Sequence, residues 1–322
     1  MTGRSDFPNG FGNGITLKGV NIDVPISGEA FWVNGSTTAA NIAKGAIGGS
    51  DGNKGSYKQP FATVDKAITS CSANRGDTIF VMPGHSETVT ATSINLDVAG
   101  VTVVNLGQPE NQATYTFNAT GSTITVSAAG CAWYGGLHQS TILDCASAFT
   151  LGAAKGTTVA GGIFEDTSSI LNFLSLVTTG ATDNDADDLT VEGNTWYGLN
   201  TTPLAVVSIL AAELRPIVRG NKAYLAATSG GEFITLAAKI VSGAEFAGNY
   251  HVVVGATGTT TGIFLTGSGS TSTGIVKDNF VSSLDTTTEL IATAGTGLVF
   301  HENYYTGVAD KSGKLWPAVD VA

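Results

Sequence analysis

The stretch LTVEGNTWYG, residues 189 to 198, decides how this chain folds, because it recurs four more times in altered form. Each copy has an apolar residue, two variable positions and then an asparagine, and successive asparagines are 27, 28, 30 and 24 residues apart. A weaker earlier copy is GIFEDTSS, with Phe164 as the apolar residue and Thr167 in the place of asparagine. The five asparagines are Asn194, Asn221, Asn249, Asn279 and Asn303, and the later copies are PIVRGNKAYL (216 to 225), AEFAGNYHVV (244 to 253), GIVKDNFVSS (274 to 283) and LVFHENYYTG (298 to 307).

A second short pattern lies between the asparagines. It consists of β-prone runs: FLSL from 173, VSIL from 207, FITL from 233, IFLT from 263 and LIAT from 290. Each period therefore holds at least two short strands, and no long helical period is visible. Repeats of this length indicate a solenoid, a propeller or an array, but a propeller blade needs about 40 residues. The fold class we predict is all-β, a parallel β-helix whose coils stack about 4.8 Å apart.

Stacked coils explain why one asparagine recurs. Equivalent positions of successive coils lie directly above one another, so the five side-chain amides are expected to form an internal hydrogen-bonded ladder. Asparagine also tolerates the left-handed backbone that a sharp corner requires. The residue before it is Gly in three copies and Asp or Glu in the other two, which suits a turn.

The amino-acid composition argues against some classes of binding partner. Glycine accounts for 42 of 322 residues, charged residues for only 13 %, and the net charge is −11. An acidic chain with no basic stripe is a poor nucleic-acid binder, since a phosphate backbone is bound by clustered cations. The longest apolar run, PLAVVSILAA at 203 to 212, is far shorter than a bilayer span. We therefore expect neither a nucleic-acid nor a membrane partner, and the N-terminus shows no export signal.

Four segments are predicted. An extended N-terminal arm covers 1–30, a cap segment with a short helix covers 31–76, the β-helix covers 77–308 in eight or nine coils, and a C-terminal tail covers 309–322. The cap helix is expected in PFATVDKAITSC, residues 60 to 71, with Pro60 at its first position. One helical face would carry Phe61, Val64, Ile68 and Cys71 and would cover the first coil. Trp316 in the tail is expected to help cover the last one.

The entry segment carries a family resemblance. FWVNG at 31 to 35, KQPFATVDKAI from 58 and GDTIFVMPGHSETV from 76 resemble the entry of right-handed parallel β-helix proteins of the pectate-lyase-like type. The likeness is more specific to virion proteins of tailed bacteriophages. It implies either a homotrimeric protein that decorates the capsid or a tailspike. The calcium-binding Asp cluster and catalytic Arg of the lyases have no match here, since Arg215 and Arg219 lack a neighbouring acidic cluster.

Few residues suggest a catalytic or metal-binding site. Asp278 and Glu302 precede the repeated asparagine in adjacent coils, and stacking would place their carboxyls roughly 5 Å apart, the separation in a retaining glycosidase. Solvated turn residues are the simpler interpretation. The acidic loop TDNDADD, 182 to 188, has oxygen ligands for Ca²⁺ but lacks the Gly and Glu of an EF-hand loop, which favours a solvated turn. We therefore expect no catalytic residue, no cofactor and no metal.

Other reactive types fit structural roles. His85, His138, His251 and His301 are scattered, and His85 is expected to order a turn. The three cysteines lie among apolar or small residues and suit burial as thiols. Aromatic residues cluster after the repeated asparagine and favour a core or a subunit interface over a sugar platform. These are Trp196, Tyr197, Tyr224, Tyr250, Phe280, Tyr304 and Tyr305.

The function that the sequence favours is binding. We expect a non-enzymatic virion protein on the capsid surface, a homotrimer whose arm grips the major capsid protein. The residues expected to make that contact are Phe7, Phe11, Val20, Ile22 and Val24. A mobile leader is the alternative for the arm. The alternative function is a tailspike that binds or cleaves a host glycan with Asp278 and Glu302.

Overall fold

The computed structural model describes residues 15–17, 20–22, 28–36, 48–228, 230–237, 239–254, 264–268, 271–283, 291–293, 297–307 and 313–315. Within these residues the chain winds as a parallel β-solenoid with three long sheets. Each coil gives one strand to sheet 1, turns a corner into sheet 2, and then crosses to sheet 3. The predicted all-β parallel β-helix is confirmed, with three strands in each coil rather than the minimum of two.

Sheet 1 has ten strands: Ala30–Val33, Thr78–Val81, Thr102–Asn105, Ala132–Tyr134, Thr158–Ala160, Thr190–Glu192, Ile217–Arg219, Ala244–Ala247, Thr273–Lys277 and Gly297–His301. Sheet 2 also has ten: Ser86–Val89, Thr114–Phe117, Leu137–Ser140, Ile163–Asp166, Thr195–Gly198, Lys222–Leu225, Tyr250–Val253, Phe280–Ser283, Asn303–Gly307 and Gly313–Leu315. Sheet 3 has eight: Ile94–Leu96, Ile124–Val126, Phe149–Leu151, Ser175–Thr179, Ala205–Ser208, Glu232–Thr235, Leu265–Ser268 and Ile291–Thr293. A short extra pair joins Glu213–Leu214 to Val241–Ser242.

The repeated stretches occupy equivalent places in the coil. Each runs along sheet 1, passes the corner at its asparagine and enters sheet 2, while the second pattern forms the last five strands of sheet 3. The weaker copy does not share this register. Ile163 pairs with Thr195 and Val159 with Val191, so Gly162 lies opposite Asn194 and Val159 is its apolar residue. The assignment to Thr167 and Phe164 is wrong, because strand pairing and not letter similarity sets the register.

The interior is a continuous stack of large side chains. His138 lies between Tyr115 and Phe164 of the neighbouring coils, with ring centroids 5.3 Å and 4.6 Å away. Trp133 and Phe149 meet the same ring from sheets 1 and 3. Burial lowers the pKa of His138 to about 3, so its ring is neutral and acts as a core aromatic. Each fully buried large apolar side chain contributes roughly 1.5–3 kcal/mol.

The cap helix is shorter than expected. It spans Val64–Ser70 and begins after Thr63, whose hydroxyl accepts from Lys66 N–H. Pro60 is therefore not its first residue, because the N-cap hydroxyl of Thr63 fixes the start at Val64, four residues later. Phe61 lies before the helix, bridged to Val33 and packed on Phe31.

The described ends of the chain add strands. In the arm, Ile15–Leu17 pairs antiparallel with Val20–Ile22, so this part folds back as a hairpin. Ala30–Val33 already belongs to sheet 1, and in the tail Gly313–Leu315 pairs antiparallel with Asn303–Gly307 and covers that edge of sheet 2. Trp316 lies outside the described residues. No helix in the described part of the chain is long and apolar enough to cross a membrane.

Candidate functional surfaces on the solenoid

The corner between sheets 1 and 2 is two residues long in four of the coils that carry the repeat, and in the last one Glu302 alone separates the strands. The first corner residue has a left-handed backbone: Gly193, Gly220 and Gly248 have φ near 63°, and Asp278 and Glu302 have φ of 56° and 50°. The asparagine follows it and does not adopt positive φ. The expectation that asparagine itself takes the left-handed position is therefore wrong. Glycine serves there because it carries no Cβ to clash.

The five asparagines form a buried ladder. Side-chain Nδ2 donates to Oδ1 of the next coil from Asn194 to Asn221 (3.0 Å), Asn221 to Asn249 (3.1 Å), Asn249 to Asn279 (2.9 Å) and Asn279 to Asn303 (2.9 Å). All five are at most 2 % exposed. At the other end, Gly162 N–H donates to Asn194 Oδ1.

Each asparagine inside the ladder forms every hydrogen bond that its side-chain amide can make. Asn221 Nδ2 gives its second proton to Val191 O of the preceding coil (2.8 Å), and Asn221 Oδ1 also accepts from the backbone N–H of Asn194 (3.0 Å). Both protons and both lone pairs of the amide are thus satisfied. Because the bonds join three coils, the ladder fixes the angle between sheets 1 and 2 along the rod.

A shallow groove of about 650 Å³ follows this corner on the side of sheet 1. The glycines form its floor, Tyr134 stands at one end and Asp278 at the other. On its wall, Arg219 Nε lies 2.6 Å from Glu192 Oε2, so these two charges are paired. This groove was not anticipated from the sequence, although the column of GN pairs marks its floor.

Asp278 and Glu302 occupy consecutive coils of the corner, as the stacking argument required, and both side chains are exposed. Neither lies in an enclosed cleft, and Asp278 stands at the end of the groove. A catalytic acid usually needs burial or a neighbouring charge to hold a proton near neutral pH. The geometry suits solvated corner residues better than an acid pair.

The aromatic residues after the asparagine divide between the core and the surface. Trp196 is buried inside, whereas Tyr197, Tyr224, Tyr250 and Tyr304 are 36–47 % exposed on the outer face of sheet 2. Two pairs of rings stack between neighbouring coils: Tyr197 on Tyr224 at 5.6 Å and 9°, and Tyr250 on Phe280 at 4.7 Å and 9°. Between these pairs, Tyr224 and Tyr250 are tilted by 49° at 5.8 Å. Because ring faces cover one another, edges and hydroxyls point outward. We call Tyr197, Tyr224, Tyr250, Phe280 and Tyr304 the aromatic stack.

The acidic loop is tied to the next coil. Asp183 and Asp187 accept from the backbone N–H groups of Ala212 and Leu214, and Asp188 pairs with Arg215 at 2.6 Å. Asp187 Oδ2 also lies 3.0 Å from Lys155 Nζ. Among the described residues no group of His, Cys, Asp and Glu has the arrangement of a metal site. The hydrogen bonds and ion pairs of this loop therefore hold neighbouring coils together.

Two buried acids were missed by sequence reasoning. Asp166 accepts from the N–H groups of Phe173, Leu199 and Asn200, and burial raises its pKa to about 6. Its place could have been found by strand parity, since Phe164 of the same strand points inward. Glu213 is 1 % exposed, and burial, with Asp187 and Asp185 nearby, raises its pKa to about 7. Glu213 Oε1 is buried without a hydrogen-bond partner, and an uncharged carboxyl is better tolerated in such a place than a carboxylate.

The remaining histidines and cysteines have structural positions. His85 Nδ1 accepts from Gly35 N–H (2.7 Å), and its Nε2 lies 3.0 Å from Glu87 Oε2, which in turn accepts from Val64 N–H at the start of the cap helix. His85 thus joins the entry segment to the first coil, and His251 is buried against Phe233. Cys131 and Cys145 are buried thiols and Cys71 is half-buried, with all three pKa values raised by burial.

The expected arm contact falls largely outside the structure. Three of these residues, Phe7, Phe11 and Val24, lie outside the described residues. For Tyr305, which belongs to the aromatic group, only the backbone is described. Val20 and Ile22 are on the hairpin strand, whose backbone alone is described. The capsid-binding arm therefore stays a prediction.

Known proteins share little sequence with this chain. No protein-family model matches the chain, and no curated protein does. Among solved structures the fold is similar to a "Rhamnogalacturonan lyase" at 12 % identity and TM-score 0.46, over 86 % of this chain and 74 % of that one. It is also similar to "Geobacillus virus E2 - ORF18" at 13 % identity and TM-score 0.36, over 79 % of this chain and 60 % of that one. The chain thus spans less than two thirds of the virus protein.

Proposed function

We propose that this chain is a non-enzymatic structural protein of a phage virion, a homotrimer that decorates and cements the capsid surface. Its N-terminal arm binds the major capsid protein, and the solenoid forms a rod of roughly 40 Å that stands on the shell. Binding to the assembled state alone stabilises that state by mass action. The entry-segment resemblance supports the viral setting.

The observation that supports a structural role is that the described coils form a rod and are not arranged around a cleft. From residue 78 to 253, the turns between strands contain at most ten residues. Two ion pairs join neighbouring coils: Arg215 and Asp188 lie in turns, and Arg219 and Glu192 lie at the ends of adjacent strands. A substrate site needs a concave wall that excludes water, and these short turns build none.

The test is cryo-electron microscopy of phage capsids that lack this protein, after the purified full chain is added. Ordered density on the shell, with residues 1–30 traced against the major capsid protein, supports decoration. The variant with Phe7→Ala and Phe11→Ala is expected to lose the density while keeping its circular dichroism spectrum. Density only at the tail, or none on the particle, refutes capsid binding.

A tailspike that binds or cleaves a host glycan is the second candidate. It is favoured by the groove beside Asp278, which is lined by the Glu192–Arg219 pair and Tyr134. Polar groups along a shallow groove suit an extended chain of hydroxyl-bearing units. An oligosaccharide-release assay decides the matter: release by the wild type and its loss in the Asp278→Asn, Glu302→Gln double variant support cleavage. Equal release by both proteins excludes this acid pair.

A further inference from the structure

We infer that the outer face of sheet 2, centred on the aromatic stack, is the surface through which copies of this chain associate. This inference rests on the homotrimer in the proposed function and names the face that forms it. The occupant is a second copy of the chain, packed with its own sheet 2 surface.

The outer face of sheet 2 is nearly free of charge. Of the outward-pointing residues in its nine parallel strands, Glu165 and Lys222 alone are charged among the described positions, and they have opposite signs. Glu165 already accepts a hydrogen bond from Gln139. Because the chain carries a net charge of −11, two copies repel unless they meet where carboxylates are scarce. Sheet 2 provides such a place.

The other two long sheets present different faces. Sheet 1 points Glu192, Arg219, Glu245 and Lys277 outward. Sheet 3 has one outward column, which is dominated by hydroxyls such as Thr125, Thr150 and Thr235. The outward column of sheet 3 has no large apolar side chains in series, and in sheet 1 Glu245 separates Ile217 from Ile275 and Val299. The aromatic stack has one ring in each of five successive coils, with Tyr197 and Tyr224 in one outward column and Tyr250, Phe280 and Tyr304 in the other.

The apolar character continues past the edge of sheet 2. In the turns that leave this sheet, Leu143, Ile170, Leu199 and Val254 are 53, 65, 46 and 61 % exposed. Exposed large apolar side chains in one contiguous patch usually mark an association surface. The charged loop at 182 to 188 belongs to a different corner, between sheets 3 and 1.

The face and its flanking turns approach the area that a standard interface buries. Nine coils at 4.8 Å give a length of about 40 Å, and four residues at 3.3 Å give a width of about 13 Å, on the order of 500 Å². The turn residues extend this toward the roughly 800 Å² that each partner buries in a standard interface. Tyrosine edges and hydroxyls are well suited to it, because tyrosine is enriched at interface cores.

Sedimentation velocity of the full chain tests the inference with a matched pair of variants. Tyr224→Lys with Tyr250→Lys places two charges in the face. The control, Tyr134→Lys, changes a tyrosine that is 38 % exposed, against 37 % for Tyr224, but lies on sheet 1. We expect a trimeric wild type and control, and a double variant whose dissociation constant rises at least about tenfold. A monomeric wild type, an unaffected double variant or an equally weakened control overturns the inference.

A second measurement needs no variant. Nitration of tyrosines in the wild type, read by mass spectrometry, should be slower at Tyr224 and Tyr250 than at Tyr134 when the protein is concentrated, and equal when it is dilute. Equal nitration at both concentrations overturns the inference even if the lysine variant fails to fold. A wild-type dimer with the same protection pattern keeps the face but refutes the trimer in the proposed function.

Discussion

Asn221 Nδ2 donates a hydrogen bond to Asn249 Oδ1 across 3.1 Å, although the two residues are 28 positions apart in the chain. Both amides are about 1 % exposed, so each must find its partners inside the protein. The same relationship repeats through the last five coils, and it makes the corner between sheets 1 and 2 the most strongly specified part of the rod.

Removing one amide from the middle of the ladder should be costly. Asn221→Ala removes four buried hydrogen bonds, those to Val191 O, to Asn249 Oδ1 and from the two N–H groups of Asn194, and we expect a loss of about 3 kcal/mol or more. Asn249 Oδ1 keeps the backbone N–H of residue 221 as a donor. Urea denaturation followed by circular dichroism measures the loss. Asn303→Ala, at the described end of the ladder, should cost less. Equal costs, or a loss below about 1 kcal/mol at Asn221, would contradict the ladder's role.

Two glycines with positive φ should respond differently to alanine. Gly220 has φ of 63°, and the nearest atom to an added Cβ is 3.9 Å away, so Gly220→Ala carries only the conformational cost of about 1 kcal/mol. A Cβ on Gly274 would clash with the backbone of Ala244, so Gly274→Ala should cost several times more. The thermal unfolding midpoints of both variants check this order. A reversed order would mean that the coils adjust to the methyl group.

Stability should fall as the pH rises through the range in which Glu213 titrates. Its pKa is raised from 4.5 to about 7 in the folded chain, so the native state binds more protons than the unfolded state between these values. The stabilisation is complete below pH 4.5 and is lost by about pH 7, with a span of about 3 kcal/mol. Glu213→Gln mimics the protonated acid.

The Glu213→Gln variant and the wild type should have similar stability at pH 4, and the variant should be more stable at pH 8. Asp166, whose pKa is raised to about 6, adds a slope of the same sign to both proteins. Urea midpoints across this pH range therefore compare the two directly. Parallel curves for wild type and variant would show that Glu213 does not carry the proton.

The cap should loosen when His85 is lost. His85→Ala removes the acceptor of Gly35 N–H and the partner of Glu87, so hydrogen exchange over residues 28–36 should accelerate about tenfold or more, as expected when a net hydrogen bond of about 1 kcal/mol or more disappears. His85→Asn keeps an acceptor and a donor and should restore part of the protection. His301→Ala, at an exposed position, is the control. Unchanged exchange in His85→Ala would assign the cap's stability to packing alone.

Much of the fold could be read from the repeat. The repeat predicts which residues are neighbours in space, because a solenoid places residues about one period apart in contact. The markers of each period are the asparagine, the apolar residue before it and the second pattern. The earlier coils have no such repeated marker, and there the sequence assigned Thr167 to a place that Gly162 occupies. Register depends on strand pairing, and one coil without the asparagine offers no local signal for it.

The surfaces were less predictable than the coil. The aromatic residues were recognised as a cluster, but only the fold shows that Trp196 points inward while Tyr197 points outward and stacks on Tyr224. Similarly, the acidic loop could not be assigned to coil-to-coil pairing without knowing that Arg215 and Lys155 lie beside it. The lengths of the turns decide which charged residues, about 30 positions apart in the chain, lie side by side in neighbouring coils.

The sequence by itself determined that this chain forms stacked coils with an asparagine at one corner, because a buried amide ladder needs the same side chain once per period. The tertiary structure alone decided which residues take the left-handed corner, which acids are buried and which face is left apolar. Those properties depend on the exact pairing of strands and on the turn lengths between them. A shift of one residue moves each side chain of a strand to the opposite face.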